Sequence, residues 1–142
     1  MSRIGIIYWS GTGNTEKMSE LIGQGASEAG AQVSRKQVSS ATQDEIGEYD
    51  VLVLGSPSMG SEVVEESEME PFVSSITPKL SGRKVALFGS YGWGDGEWMR
   101  NWAERMKKEG VNLLDEGLII NEAPEGEKAD KCVAYGAKIS AF

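Results

Sequence analysis

A glycine- and hydroxyl-rich turn constrains the fold of this chain more than any other feature. The turn is Ser10-Gly11-Thr12-Gly13-Asn14-Thr15, and the apolar run before it, residues 4–9, is typical of a buried strand. The residues with small or apolar side chains after it recur at helical spacing: Met18, Leu21, Ile22, Gly25 and Ala26. The pattern predicts a strand, a tight turn and a helix N-terminus. Unpaired amides, close-fitting glycines and three hydroxyls at such a turn favour binding of a phosphate group.

The turn lacks the residues that define two other kinds of phosphate site. A Walker A loop needs a Gly-Lys-Ser/Thr sequence, and this turn has no lysine, so a nucleoside triphosphate with magnesium is not expected. The dinucleotide fingerprint needs a third glycine where this chain has Glu16. The turn therefore predicts a site for a single phosphate monoester. The alternative is a plain helix N-cap with turn glycines.

Composition narrows the class of protein. The length of 142 residues predicts one domain, 1–142, with its own core. No apolar run approaches the roughly 18 residues of a membrane span and no secretory signal is evident, so we expect a cytoplasmic protein with no membrane partner. The lone Cys132 cannot form an internal disulfide, which suits a reducing compartment. The net charge of −8 argues against nucleic acid and favours a basic protein partner. Because the chain has no histidine, we expect its chemistry to come from a cofactor.

Apolar runs alternate with helical patterns along the chain. The predicted strands are 4–9, 51–55 and 85–89, with an edge strand at 32–38 and one interrupted strand over 111–114 and 118–120. A short, weak helix is predicted within 39–49. The other helices are predicted after the first turn, near Pro71, after Asp95 as N-cap, and from about Glu127. The last of these is predicted to turn four residues inward: Cys132, Tyr135, Gly136 and Ile139. The alternation predicts an α/β fold, a parallel sheet covered by helices on both faces.

Functional residues in such sheets gather at the carboxyl ends of the central strands, where three loops of this chain would meet. Besides the phosphate turn, these are 56–66 and 90–96. The former contains Ser58-Met59-Gly60-Ser61-Glu62, and the latter is Ser90-Tyr91-Gly92-Trp93-Gly94-Asp95-Gly96. Trp93, between two glycines, is suited to lie flat on a planar ring system. The alternative for Trp93 is a surface aromatic covering a core edge.

These three motifs, in this order, resemble those of the flavodoxin family. The turn at 10–15 matches the family's phosphate loop, and the other two loops resemble the flavin-ring loops of the short-chain flavodoxins of anaerobic bacteria. The resemblance covers essentially the whole chain. It implies a flavodoxin-like, doubly wound, five-stranded parallel sheet of order 2-1-3-4-5, with FMN as the cofactor. The chain departs from many flavodoxins in one respect, since Met59 stands where they place a Trp.

The resemblance also implies a role for individual residues. Ser10, Thr12, Asn14 and Thr15, with the amides around Gly11 and Gly13, would hold the FMN phosphate. Ser90 would reach the phosphate or ribityl region, and Trp93 and Met59 would lie on the two faces of the ring. Gly60 would turn its carbonyl toward flavin N5, and Glu62 would accept a hydrogen bond from N3–H. The remaining cofactor-binding residues that the resemblance implies are Ser58, Tyr91, Gly92 and Gly96. The alternatives are that Gly60 is a plain turn glycine and that Glu62 is part of a solvated acidic face.

Acidic residues crowd the two ring loops: Glu62, Glu65, Glu66, Glu68 and Glu70 in one, Asp95 and Glu97 in the other. Each negative charge opposes formation of an anionic reduced flavin. At about 10 Å and an effective dielectric of roughly 20 to 40, one charge contributes on the order of 1 kcal/mol before screening. We expect a low reduction potential. We also expect Glu65, Glu66 and Glu68 to face water and to attract a basic partner.

The resemblance therefore implies a low-potential one-electron carrier with non-covalently bound FMN, shuttling between semiquinone and hydroquinone. Its partners would be redox proteins with basic docking surfaces, such as ferredoxin-dependent oxidoreductases and reductases, and the carrier itself a monomer. One alternative is an FMN-dependent reductase of a small substrate such as a quinone. Another is a phosphoacceptor domain of the same fold, but that needs carboxylates at the ends of the first and third strands, where this chain has none.

Overall fold

The computed structural model describes residues 2–142. The strands are β1 Arg3–Tyr8, β2 Gln32–Gln37, β3 Val51–Gly55, β4 Lys84–Tyr91, β5 Asn112–Leu113 and β6 Leu118–Asn121. The α-helices are α1 Asn14–Glu28, α2 Met69–Ile76, α3 Glu97–Lys108 and α4 Glu127–Ser140. Short 3-10 turns lie at Val38–Ser40, Asp44–Glu48 and Thr77–Lys79, so the weak helix predicted before β3 is reduced to two such turns.

The strands form one parallel sheet of order β2-β1-β3-β4-β5, with β6 also paired to β4. This confirms the predicted fold class and strand order. The fifth strand is interrupted, as predicted: β5 pairs Leu113 with Val85, and β6 pairs Leu118 with Phe88. Between the two segments, Asp115 and Gly117 take positive φ angles, which break the ladder.

The central strands are buried on both faces, which explains why they are continuous apolar runs. In β3, Val51 and Val53 point to one core with α1 and α4, while Leu52 and Leu54 point to another with α2 and α3. Helices therefore cover both faces, and the sheet presents the carboxyl ends of β1, β3 and β4 at one edge. Within residues 2–142 no helix is both long and apolar enough to cross a membrane.

Helices α1 and α4 pack closely because glycines lie at their contact. A Cβ on Gly25 would lie 1.9 Å from the Val133 carbonyl oxygen, and one on Gly136 would lie 2.0 Å from that of Ile22. The predicted inward residues of α4, Cys132, Tyr135, Gly136 and Ile139, are all buried, which confirms the predicted face of that helix.

Candidate functional site

A cavity of about 300 Å³ opens at the carboxyl ends of β1, β3 and β4. It is lined by ten residues predicted from the sequence, Ser10, Gly11, Thr12, Asn14, Thr15, Ser58, Met59, Ser90, Tyr91 and Gly92, and by three others, Trp9, Pro57 and Glu122. Five predicted residues lie outside this lining: Gly13, Gly60, Glu62, Trp93 and Gly96. The three loops singled out in the sequence therefore meet at one site.

The turn before α1 presents backbone donors to this cavity. Ser10 Oγ accepts hydrogen bonds from the N–H groups of Gly13 and Glu16, both at 3.2 Å, and so shapes the turn. Gly13, the N-cap of α1, has a φ of 103°, which favours glycine. No acceptor within residues 2–142 meets the N–H groups of Thr12, Asn14 or Thr15. Free amides at a helix N-terminus form an anion-binding cradle.

Two buried hydroxyls join this turn to the end of β4. Thr15 Oγ1 lies 2.7 Å from Ser90 Oγ, and the side chains are 1% and 5% exposed. The backbone of the neighbouring loop is tied to the same strand, since Ser58 N–H donates to the Ser90 carbonyl at 3.0 Å. Ser90 therefore holds the turn at 10–15 and the 56–66 loop in a common position.

The hydroxyl of Ser58 is a polar group without a partner. Its Oγ is buried, lies in a residue that lines the cavity, and has no hydrogen-bond partner within residues 2–142. A buried hydroxyl left unpaired costs about 1–3 kcal/mol. The arrangement therefore fits a ligand with a polar edge that can pair with this hydroxyl.

The 56–66 loop carries a tight turn whose residues flank the cavity. Met59 and Val63 exchange two backbone hydrogen bonds of 2.8 and 2.9 Å around Gly60, which has a φ of 52°. Met59 is 37% exposed, and Trp93, on the 90–96 loop, is 60% exposed; they are the large apolar side chains left exposed in residues 2–142. Both can therefore be covered by a ligand or by a partner.

Glu62 caps helix α3 from a different loop. It is 8% exposed, and its Oε1 accepts hydrogen bonds from the N–H groups of Asp95, Gly96 and Glu97 at 3.2, 3.0 and 2.9 Å. The predicted N-cap, Asp95, is wrong: Gly96 occupies that position without a side-chain cap, and the Asp95 carboxylate pairs with Arg100 at 3.0 Å. The carboxylate of Glu62 fixes the 90–96 loop beside the cavity.

Glu65 also departs from its predicted environment. The sequence predicts that it faces water, but it is 4% exposed and caps α2. One oxygen accepts from the N–H groups of Glu68 and Met69 at 2.8 and 2.9 Å, and the other accepts from the amide and hydroxyl of Ser67. Burial alone would raise the pKa of Glu65, but the hydrogen bonds from Ser67, Met69 and Glu68 outweigh it and lower that pKa. Glu65 is therefore a structural carboxylate.

The Glu65→Gln substitution is expected to lower the free energy of unfolding by about 1–2 kcal/mol at pH 7. Because folding lowers the pKa of Glu65, its contribution is present above the unfolded pKa of about 4.3 and is lost as pH falls through the folded value. Denaturant unfolding between pH 3 and 8 measures this difference. The matched control is Glu66→Gln, since Glu66 is exposed and its side chain makes no hydrogen bond within residues 2–142. Equal stabilities of the two variants at pH 7 would contradict the capping role.

The three lining residues that sequence reasoning missed follow strand ends. Trp9 comes directly after β1, and its Nε1 donates to Glu68 at 3.3 Å. Glu122 comes directly after β6, has a φ of 60°, and donates its N–H to the Tyr91 carbonyl at 2.8 Å. Pro57 is the second residue after β3. The rule that parallel strands end at one edge could have indicated all three residues.

Comparisons with known proteins agree with this geometry. The family model described as Flavodoxin matches residues 6–136. A flavodoxin from Clostridium beijerinckii is 52% identical over 135 residues, which cover 95% of this chain and 97% of that protein. The chain belongs to the flavodoxin family. A flavodoxin from Megasphaera elsdenii is 45% identical over 92% of this chain and 93% of its own length. The solution structure of the two-electron reduced Megasphaera elsdenii flavodoxin superimposes with a TM-score of 0.85, covering 95% of this chain and 98% of that one, at 43% identity.

Flavodoxins are electron carriers that bind FMN and pass electrons to redox partner proteins. The comparisons therefore support the carrier predicted from the sequence and not the reductase alternative. The residues present fit this cofactor. The free amides before α1 suit a phosphate monoester, and the unpaired Ser58 hydroxyl suits a polar edge of the ligand.

Proposed function

We propose that the cavity holds FMN with its phosphate on the turn at 10–15. The observation that carries this proposal is the set of free amides at the N-terminus of α1, beside the hydroxyls of Ser10, Thr12 and Thr15. The turn itself contains no cationic side chain, so amides and hydroxyls supply the binding. Asn14 adds a side-chain amide, and Gly11 and Gly13 allow the backbone to lie close to the phosphate.

The other two loops are proposed to hold the ring. Met59 lies on one face of the ring and Trp93 on the other, while Gly60 offers its backbone carbonyl to the N5 edge. Glu62 is proposed to accept from N3–H with the oxygen that does not cap α3. The remaining residues assigned to the cofactor site are Ser58, Ser90, Tyr91, Gly92 and Gly96. Bound FMN supplies one-electron redox chemistry, and these residues orient it and restrict access of water.

Negative charge around the cavity supports a low reduction potential. Glu122 lines the cavity, and Asp95 and Glu97 lie on the loop and helix start that Glu62 caps. Each carboxylate disfavours the addition of an electron to a nearby cofactor. The effect on the reduction potential is larger for a carboxylate shielded by protein than for one that faces water. We infer that these charges, rather than a substrate-specific residue, adapt the protein to low-potential electron transfer.

The exposed carboxylates are proposed to recruit a partner with a basic surface, such as a ferredoxin-dependent oxidoreductase or reductase. Glu66 and Glu68 are exposed just before α2, and the protein carries a net charge of −8. We further propose a monomer that acts in the cytoplasm. Burial raises the pKa of the Cys132 thiol to about 11, so the single cysteine is an inert thiol that suits a reducing compartment.

The test is to reconstitute the purified chain with FMN and to measure stoichiometry, both midpoint potentials, and electron transfer to a basic and an acidic acceptor protein. We expect one FMN per chain and a rate to the basic acceptor that falls steeply as salt rises. The Glu66→Gln/Glu68→Gln double variant should lose part of that rate at low salt while the potentials shift little. Failure to bind FMN would overturn the site, and an unchanged rate in the double variant would overturn the docking surface.

A further inference from the structure

Met59 is the accessible thioether in the described part of the chain. Met18, Met69, Met99 and Met106 are at most 2% exposed, whereas Met59 is 37% exposed. Oxidation of a thioether requires that the oxidant reach the sulfur. An oxidant in solution therefore reacts with Met59 well before it reacts with the four buried methionines.

Met59 also lies where a chemical change would affect a ligand. It lines the cavity beside Pro57 and Ser58. Its backbone exchanges two hydrogen bonds with Val63, which keep its Cα at the base of the turn. A modified side chain at this position stays next to the cavity, because the turn holds the backbone in place.

We propose that Met59 is a site of reversible oxidation by hydrogen peroxide that controls loading of the cofactor; this inference rests on the proposed FMN site. A sulfur lone pair attacks one peroxide oxygen, the O–O bond breaks and an S–O bond forms. The departing hydroxide takes the proton from the oxygen now bonded to sulfur and leaves as water. The sulfur loses two electrons, peroxide gains them, and the products are methionine sulfoxide and water.

The sulfoxide weakens FMN binding because it places a polar group on an apolar wall. Met59 lines the cavity together with Trp9, Pro57 and Tyr91, and the thioether is itself apolar and polarizable. A sulfoxide oxygen pressed against a planar ring loses its water without gaining a donor. We expect the Kd for FMN to rise about tenfold. Methionine sulfoxide reductases return the sulfur to a thioether and reverse the effect.

The experiment treats the purified full-length protein with hydrogen peroxide before FMN is added. Peptide mass spectrometry then follows sulfoxide formation at each methionine, and fluorescence titration measures the Kd for FMN. We expect Met59 to oxidise at least about tenfold faster than the four buried methionines, in keeping with its exposure. Treatment with the two sulfoxide reductases should restore the original Kd.

The matched control is Met59→Leu, which removes the sulfur at nearly constant volume. Its Kd for FMN should be the same before and after peroxide, which separates Met59 oxidation from damage elsewhere. Oxidation of Met59 no faster than that of the buried methionines would overturn the proposal, as would an unchanged Kd once Met59 is fully oxidised. Untreated protein that fails to bind FMN would instead overturn the proposed function, so the two failures are distinguishable.

Discussion

Thr12→Asp is expected to weaken FMN binding by about 30- to 300-fold, corresponding to roughly 2–3.5 kcal/mol. Thr12 is exposed at the turn before α1, so the substitution leaves the core unchanged. It places a carboxylate beside the amides proposed to hold the phosphate, where like charges about 4 Å apart at an effective dielectric of 20 repel by about 4 kcal/mol. Fluorescence titration with FMN measures the loss.

Two comparisons make this test specific. The asparagine side chain of Thr12→Asn has nearly the same shape as the aspartate side chain of Thr12→Asp but carries no charge. We therefore expect the Kd of the Thr12→Asn variant for FMN to stay within about threefold of the parent. Riboflavin has the same ring but no phosphate, so its affinity should be similar for both variants. Added salt should reduce the difference between them. Equal FMN affinities for the Asp and Asn variants at low salt would show that the phosphate binds elsewhere.

Glu62→Ala is expected to lower the free energy of unfolding by about 2–3 kcal/mol, and Tm by roughly 6–12 °C. The buried carboxylate accepts from three amides at the N-terminus of α3, and its negative charge lies at the positive end of that helix. Removing it leaves those donors without a protein acceptor and frees the 90–96 loop. Thermal and denaturant unfolding without FMN measure this contribution of Glu62 to stability.

A second substitution at this position tests the cap and the proposed contact of Glu62 with N3–H together. Glu62→Gln keeps an oxygen that can accept a hydrogen bond, so it should keep more than half of the unfolding free energy that Glu62→Ala loses. Its Kd for FMN should stay within a few-fold of the parent, whereas Glu62→Ala should lose more than about tenfold in affinity. Glu66→Ala, at an exposed position, should change neither quantity. If Glu62→Ala were as stable as Glu66→Ala, the observed cap would contribute nothing to folding.

The two buried carboxylates show where acidity serves structure and where it is available for function. Glu62 and Glu65 each cap a helix, and both have low exposure, whereas Glu66 and Glu68 are exposed. Of these four carboxylates, Glu66 and Glu68 are the ones that could attract a partner by their charge while making no helix cap. The acidic residues of 62–68 thus include two structural caps and two exposed carboxylates that are proposed to attract a partner, and a count of charges does not separate them.

The sequence alone determined the elements whose signals are local. Buried strands at 51–55 and 85–89 appear as continuous apolar runs because helices cover both faces of the sheet. The inward face of α4 follows from helical spacing, and the turn at 10–15 follows from glycines between a strand and a helix. Together with the rule that ligands bind at carboxyl ends of strands, these signals predicted the loops that line the cavity.

The tertiary structure decided which side chains meet across the chain. Glu62 lies 34 residues from the Gly96 amide it caps, and Thr15 lies 75 residues from the Ser90 hydroxyl it contacts. Nothing local distinguishes a capping glutamate from a solvated one, because both are charged residues in a polar loop. Glu65 differs from Glu66 because backbone amides at the N-terminus of α2 donate hydrogen bonds to it, and these bonds offset the cost of burying its charge. Those amides reach the carboxylate only once the chain has folded and the N-terminus of α2 lies against the loop.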